Sequence, residues 1–159
     1  MQGDPEVLKL LNEQLTSELT AINQYFLHSK MQDNWGFTEL AEHTRKESFE
    51  EMVHAEEITD RILILDGLPN YQRLFSLRVG QTVREQFEAD LAIEYEVVAR
   101  LKPGIILCRE KGDATSANLF EKILADEELH IDYLETQLDL MNKLGEELYL
   151  AQCVSRPPQ

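Results

Sequence analysis

Apolar or small residues recur along most of the chain at alternating steps of three and four, which is the spacing of one face of an α-helix. In the first such stretch the positions are Leu8, Leu11, Leu15, Leu19, Ile22, Phe26 and Ser29. Glycine follows each of the first four stretches within a few residues. We therefore predict helices at about residues 5–34, 36–65, 82–111, 113–144 and 146–152. No segment alternates as a β-strand does, so the predicted fold class is all-α.

Two helix starts and one long connection indicate how the helices are arranged. Asp4, followed by proline, is typical of a helix N-terminus, and Thr82 with Glu85 three positions later forms a capping box. Residues 66–81 show no helical period, and this length is unusual for a hairpin between bundle helices. An extended crossover between parallel helices explains it better. We expect one domain over residues 1–159, a four-helix bundle with one long crossover and a short fifth helix.

Ionisable residues interrupt two otherwise apolar helix faces. The face of the second helix reads Leu40, Thr44, Glu47, Glu51, His54, Ile58, Ile62 and Leu65. The face of the fourth reads Phe120, Ile123, Glu127, His130, Leu134, Leu138 and Met141. The first and third helices each add one acid in mid-face, Glu18 and Glu94. Burying such groups is costly unless they are paired or bind a metal ion.

The spacing of these groups repeats. The Glu-x-x-His pair that begins at Glu51 recurs at Glu127, 76 positions later. The single acids Glu18 and Glu94 are separated by the same interval. A lone pair of this kind on an acidic helix is weak evidence, because chance pairs on solvated faces are common. Two copies at one interval, each with a matching acid, indicate two helix pairs folded around a pseudo-two-fold axis.

Charge narrows the chemistry that such a cluster can perform. The chain has 30 acidic and 15 basic residues, a net charge of −15, which argues against nucleic acid or an anionic membrane as partner. Four converging carboxylates would be neutralised by two divalent cations, and two imidazoles complete a ligand set that suits iron or manganese. No apolar run could span a bilayer, and no signal-peptide pattern is present, so we expect a cytoplasmic protein.

The combined pattern resembles the bacterioferritins, the haem-containing branch of the ferritin family, over nearly the whole chain. The segments that carry the resemblance are LNEQLTSEL at 11–19, EMVHAE at 51–56, GLPN at 67–70 and DEELHID at 126–132. The resemblance implies a ferritin-like fold, iron storage and a di-iron ferroxidase centre. Fe(II) would be oxidised there by O₂ or H₂O₂ and deposited as a ferric mineral inside a hollow 24-mer built from dimers.

The same resemblance assigns roles to individual residues. Glu18 and Glu94 would be terminal iron ligands, Glu51 and Glu127 would bridge the irons, and His54 and His130 would take one iron each. Tyr25 matches an aromatic beside the centre that would carry an electron; a core tyrosine with a bonded hydroxyl is the alternative.

Met52 matches the methionine that ligates haem in this family. It lies one position beyond Glu51 and therefore about 100° around the helix, off the metal-facing side. One haem b would be shared between the Met52 side chains of two subunits, in a pocket lined by Leu19, Ile22, Asn23, Phe26 and Trp35. An ordinary apolar dimer face is the alternative for those residues.

Several residues depart from the family or stand outside its pattern. Lys46 and Glu50 occupy positions where some members carry an inner-surface histidine and aspartate, which puts that iron site in doubt. His28 and His43 have no partner at ligand spacing, so we expect them at the surface or at an interface. Cys108 is expected to pack on the third helix; with Cys153 it forms no zinc or disulfide pattern.

Two other classes of protein remain as alternatives. One is a passive haem or electron-transfer protein that uses Met52, against which the repeated ligand set argues. The other is a further di-metal carboxylate enzyme such as a rubrerythrin or a manganese catalase. The sequence does not separate O₂ from H₂O₂, nor does it identify haem occupancy, co-assembly with another ferritin subunit or the electron donor for iron release. The family suggests a small iron–sulfur ferredoxin as that donor.

Overall fold

The five helices that the periodicity predicts are present in the computed structural model, which describes residues 1–154. They are α1 Pro5–Asn34, α2 Thr38–Ile64, α3 Val83–Glu110, α4 Ala114–Leu144 and α5 Glu146–Ala151. Helix α2 begins two residues later than predicted because Gly36 has a φ of +92°, which a right-handed helix does not allow. Helix α3 continues through Pro103. No β-strand occurs within residues 1–154.

The predicted caps are formed. The Asp4 carboxylate accepts a hydrogen bond from the backbone N–H of Glu6 at 2.8 Å, and Thr82 accepts one from Glu85 at 3.1 Å. The Glu85 carboxylate reaches back to the N–H of Gln81 rather than to that of Thr82. Asp113, the first residue of the predicted helix 113–144, caps α4 by accepting a hydrogen bond from the backbone N–H of Ser116. Each cap satisfies donors that the first turn of a helix leaves free.

Helices α1 and α2 form one antiparallel pair, and α3 and α4 form the other. The connection between the pairs, residues 65–82, runs alongside α1. It is held there by hydrogen bonds from the backbone N–H of Phe75 to Thr20 and from that of Gly80 to His28. Consequently α3 starts beside the C-terminal end of α1 and runs parallel to α2. The predicted bundle with one long crossover is confirmed.

Two apolar clusters fill the bundle. The larger contains Val7, Leu11, Leu15, Ile58, Ile62, Leu101, Phe120 and Ile123 among others. The smaller, towards α5, contains Leu40, Val83, Phe87, Leu134, Met141, Tyr149 and Cys153. The ionisable residues of the predicted faces lie in the middle of their helices, so they are sandwiched between these two clusters. No helix within residues 1–154 is both long and apolar enough to cross a membrane.

Helix α1 differs from its predicted face. Phe26 is 42% exposed, whereas Gln14, Gln24 and Gln32 are buried. The reason is that α1 is covered on several sides, by α2, by α3 and by the crossover, so more than one stripe of it is buried. The spacing of apolar residues alone therefore does not predict which residues of α1 are buried.

The prediction that His28 lies at the surface or at an interface is wrong. Its side chain is fully buried, Nδ1 lies 2.9 Å from Asp90 Oδ1, and Nε2 accepts the hydrogen bond from the N–H of Gly80. Because Nε2 is an acceptor, Nδ1 carries the proton that is donated to Asp90. Burial raises the pKa of Asp90, and the hydrogen bond from His28 opposes that rise. The histidine thus links the crossover to both α1 and α3.

We expect Gly80→Ala to loosen this attachment. A Cβ at this position would lie 2.3 Å from the backbone nitrogen of Gln86, and backbone cannot move away cheaply. Overpacking of this kind costs about 2 kcal/mol, measurable as a lower urea midpoint of unfolding. Gln81→Ala at the exposed neighbouring position should leave the midpoint unchanged. Equal midpoints for the two variants would contradict the close approach of the crossover to α3.

Candidate metal centre

All six side chains of the repeated pattern meet in the middle of the bundle. Each is at most 6% exposed. The six form two overlapping groups of ligand-type atoms: Glu18, Glu51, His54 and Glu127 in one, and Glu51, Glu94, Glu127 and His130 in the other. Every helix of the four contributes, and the two glutamates common to both groups are those of the Glu-x-x-His pairs.

The first group surrounds Nδ1 of His54. This atom lies 3.6 Å from Glu18 Oε2, 3.4 Å from Glu51 Oε2 and 3.1 Å from Glu127 Oε1. One nitrogen and three carboxylate oxygens therefore converge on one small volume. This is the donor set that suits an iron or manganese ion.

The second group repeats the first around Nδ1 of His130. The distances are 3.0 Å to Glu51 Oε1, 3.5 Å to Glu94 Oε1 and 3.3 Å to Glu127 Oε2. Glu51 and Glu127 thus each turn one oxygen towards one histidine and the other oxygen towards the second. Glu94 faces only one of the two positions, as its counterpart on α1 does. Glu51 and Glu127 therefore each face both histidines, whereas Glu18 and Glu94 each face one.

The outer nitrogens of the histidines are held by acids from the opposite helix. His54 Nε2 lies 2.8 Å from Asp126 Oδ2, and His130 Nε2 lies 2.8 Å from Glu50 Oε2. Such contacts orient the rings with Nδ1 directed inward. Sequence reasoning missed this role of both acids. A signal was available, because Glu50 and Asp126 are also 76 positions apart and each precedes a Glu-x-x-His pair.

Lys46 lies close to Glu50, the acid that contacts the outer nitrogen of His130. Its Nζ is 3.9 Å from Glu50 Oε1 on the exposed side of α2. Glu50 therefore connects a surface lysine with His130 rather than standing alone on the surface.

The electrostatics of the cluster reflect four buried acids around two imidazoles. Burial, and next the charge of a neighbouring glutamate, raise the pKa of Glu18 and of Glu94 well above the usual range. Burial also opposes ionisation of Glu127, but the close approach of Glu94 and of both histidines holds its pKa below the usual value. Burial disfavours charge on His54 and His130, yet the carboxylates that surround each ring raise the pKa of both.

Several polar atoms of the cluster remain without a hydrogen bond although they are buried. They are Glu51 Oε1, Glu94 Oε2, both carboxylate oxygens of Glu127 and His130 Nδ1. Unsatisfied buried acceptors on this scale are rare in folded proteins. Two divalent cations would engage them and neutralise the carboxylates, so the residues fit a pair of metal ions.

Tyr25 is buried directly beside the cluster. Its hydroxyl donates a hydrogen bond to Glu94 Oε1. Burial, and next the charge of Glu94, raise the pKa of the phenol, which therefore keeps its proton. This contact accords with both interpretations of Tyr25, as an electron carrier and as a bonded core tyrosine.

An exposed apolar surface lies on the outside of the α1–α2 pair. Met52 is 52% exposed there, and the guanidinium of Arg45 lies 5.8 Å from the ring centroid of Phe26 and 5.5 Å from that of Phe49. Leu19 and Ile22 are partly buried and Asn23 is exposed. Trp35 follows the C-terminal end of α1 and lines a cavity together with residues of α5.

His43 has partners that the sequence did not suggest. Its ring stacks on Tyr133 with centroids 3.8 Å apart, and its Nε2 lies 2.9 Å from Glu47 Oε1. The three residues line a cavity of about 400 Å³ that reaches His130 between Glu50 and Asp126. His130 is the residue of the cluster that lines this cavity.

Both cysteines are free and buried. Cys108 packs within the larger apolar cluster on α3, as predicted, and burial raises the pKa of its thiol to about 11. Cys153 packs in the smaller cluster, and its thiol donates to the carbonyl of Tyr149.

Comparison with known proteins identifies the family. Residues 8–144 match the Ferritin-like domain family. A bacterioferritin of Mycolicibacterium paratuberculosis is 86% identical over 158 residues, 99% of each chain. A structure of a Mycobacterium tuberculosis bacterioferritin aligns with a TM-score of 0.98 at 84% identity and covers 100% of both chains. The chain belongs to the bacterioferritins.

The bacterioferritin fold is retained at lower identity. A Rhodobacter capsulatus bacterioferritin aligns with a TM-score of 0.97 at 43% identity, over 100% of this chain and 99% of that one. Its structure is described with a metal-free dinuclear site and with haem iron in a crystallographic special position. Membership of the bacterioferritins supports iron storage as the function, and the buried cluster contains groups that could bind metal.

We expect Zn(II) binding to the metal-free protein to release protons. The pKa values of both histidines are raised, so both rings are charged at pH 7, whereas a metal ion requires neutral imidazole. Saturation with Zn(II) in weak buffer should release about two protons per chain or more, and the apparent affinity should rise with pH. His43→Gln, which changes a histidine outside the cluster, should release as many. Zn(II) uptake without acidification would contradict the protonated state.

Proposed function

We propose that this bacterioferritin is a ferroxidase that oxidises Fe(II) to Fe(III) with O₂ or H₂O₂ and deposits a ferric mineral inside a hollow 24-mer. The observation that carries the proposal is the pairing of two equivalent nitrogen-and-oxygen positions through Glu51 and Glu127. A passive haem or electron-transfer protein would not need four buried carboxylates, because burying them without cations is energetically costly.

The substrate in this proposal is Fe(II), and each position of the centre takes one ion. His54 and His130 would each supply one nitrogen, Glu18 and Glu94 would be terminal ligands, and the other two glutamates would bridge. Shared carboxylates hold the two ions next to each other, so that the oxidant receives one electron from each. The cavity beside His130, which Glu47, Glu50 and Asp126 also line, would give Fe(II) a route to the centre.

The protein contributes orientation and proton control. Asp126 and Glu50 hold the imidazoles with Nδ1 inward, so the ligands are arranged before iron binds. When a metal ion binds, the proton on Nδ1 of each histidine would leave to solvent, while Nε2–H would stay and donate to Asp126 or Glu50. We also propose that Tyr25, hydrogen-bonded to Glu94, carries an electron between Fe(II) and the oxidant.

We also propose that two subunits share one haem b through their Met52 side chains. Support comes from the exposed thioether within an apolar surface that includes Phe26 and Phe49. A special position lies on a symmetry element, and the haem iron of the Rhodobacter capsulatus relative is described in one. The haem would supply a one-electron carrier for mineral release, with a small iron–sulfur ferredoxin as donor. We place the protein in the cytoplasm, where free thiols stay reduced.

The ferroxidase proposal predicts that Glu127→Gln abolishes rapid Fe(II) oxidation. The substitution keeps the size of the side chain but removes the charge that both cation positions share. The measurement is aerobic Fe(II) addition to metal-free protein, followed by absorbance of Fe(III). Unsubstituted protein should show a fast phase that ends near about two irons per chain, as expected for a paired carboxylate site.

Glu128→Gln is the matched control, because Glu128 is the exposed neighbour on the same helix. It should retain the fast phase, and both variants should elute as the same assembly as the unsubstituted protein. A fast phase in Glu127→Gln equal to that of the control would exclude the cluster as the oxidation site. The passive haem protein would then become the better interpretation.

The haem proposal predicts that Met52→Leu removes the haem absorbance band and spares the fast phase of Fe(II) oxidation. Leucine keeps apolar volume but has no sulfur to ligate iron. Val53→Leu, at the next exposed position of α2, should retain haem. Loss of both haem and oxidation in Met52→Leu would contradict two separate sites.

A further inference from the structure

Gln14 is a buried amide beside the metal centre that has no role in the proposed reaction. It lies on α1 one turn before Glu18 and is 1% exposed. Its Nε2 donates a hydrogen bond of 2.8 Å to Glu18 Oε1. Its own Oε1 is buried and has no hydrogen-bond partner. Since an unpaired buried acceptor is destabilising, the placement of this amide calls for a compensating function.

Gln14 donates its hydrogen bond to Glu18 Oε1, the carboxylate oxygen that does not face His54. The other oxygen, Oε2, is the one that faces His54 Nδ1 at 3.6 Å. The amide therefore fixes the orientation of the carboxylate and leaves the inward oxygen available. A cation at this position meets a ligand that is already aligned.

In the other half of the centre, formed by Glu94 and His130, a different residue contacts the terminal glutamate. Tyr25 donates its hydrogen bond to Glu94 Oε1, which is also the oxygen that faces His130 Nδ1 at 3.5 Å. Glu94 Oε2 is buried and unpartnered. A cation at this half must share Oε1 with the phenol, or the carboxylate must turn to present Oε2.

The internal repeat does not supply a second Gln14. The position 76 residues later is Asp90, one turn before Glu94. Its carboxylate is engaged by Gln24 and His28, at 2.8 and 2.9 Å, and makes no hydrogen bond to Glu94. The two halves therefore have equal ligands but unequal supports.

We propose that Gln14 is a positioning residue that holds Glu18 ready for a metal ion, so that the Glu18–His54 half of the centre takes up a divalent cation before the Glu94–His130 half. The inference rests on the proposed di-metal function and adds an order of binding to it. A ligand oriented in advance loses less conformational freedom when the ion binds, which favours the half that has it.

The test is an anaerobic Co(II) titration of the metal-free assembled protein, followed by d–d absorbance. The unsubstituted protein should bind two Co(II) per chain in two resolved steps. Gln14→Leu, which removes the donor at similar volume, should weaken the first step by about ten-fold, the effect of one hydrogen bond to a charged group. The second step should change by less than about two-fold. Gln14→Met, unbranched, should reproduce the result if leucine packs poorly.

Gln32→Leu is the matched control. Gln32 is also a buried glutamine of α1 with an unpartnered Oε1, but its Nε2 donates to Gln86, far from the centre. Both Co(II) steps should be unchanged in this variant. Tyr25→Phe should tighten the second step and leave the first as it is, because it frees Glu94 Oε1.

Unchanged binding in both Gln14 variants would overturn the positioning role. So would equal weakening of the two steps, or the same loss in Gln32→Leu, since either indicates general damage to the core. If the unsubstituted protein bound no Co(II), the di-metal function itself would fail, and the inference with it. If the unsubstituted protein and Gln14→Leu both bound two Co(II) with the same affinities, only the positioning role of Gln14 would be excluded.

Discussion

Four carboxylates and two imidazoles share one buried volume, and their mutual electrostatics constrain the rest of the structure. Acids in an apolar core tend to remain protonated, as the raised pKa values of Glu18 and Glu94 indicate. In the metal-free protein this cost is reduced by the close contacts between the carboxylates and the histidines, which also lower the pKa of Glu127. Buried atoms still remain unsatisfied, and a pair of cations is the physical means of satisfying them.

The surrounding structure holds this cluster in place from three directions. Apolar clusters lie on both sides of it along the bundle axis. Asp126 and Glu50 support the histidines across the α2–α4 pair, while Gln14 and Tyr25 support the terminal glutamates from α1. Flexible ligands without these contacts would have to be ordered by the metal ion itself, which would lower its affinity.

A sequence repeat produces near-symmetry in the ligands and asymmetry in what holds them. The Glu-x-x-His pairs and their outer acids are all separated by 76 positions, which places them as equivalents around the pseudo-two-fold axis. Gln14 and Asp90 stand at equivalent positions too, but only one of them contacts a terminal glutamate. Two metal positions with the same ligand types can therefore differ in how they bind the same ion.

Features with a local or a repeated signal can be predicted from the amino-acid sequence. Helix ends follow from caps and glycines within one turn, and the six ligand-type residues follow from an interval that occurs twice along the chain. Tertiary packing places His28 in the interior and brings Gln14 to Glu18; it also shows which histidine Glu50 contacts, although the repeated interval marks that acid. These contacts depend on which sides of a helix pack against other parts of the fold. Helix α1 packs against two helices and the crossover, so no single apolar face marks its buried residues. For the same reason the apolar stripe of α1 includes the exposed Phe26, and the buried glutamines of α1 were not expected in the core.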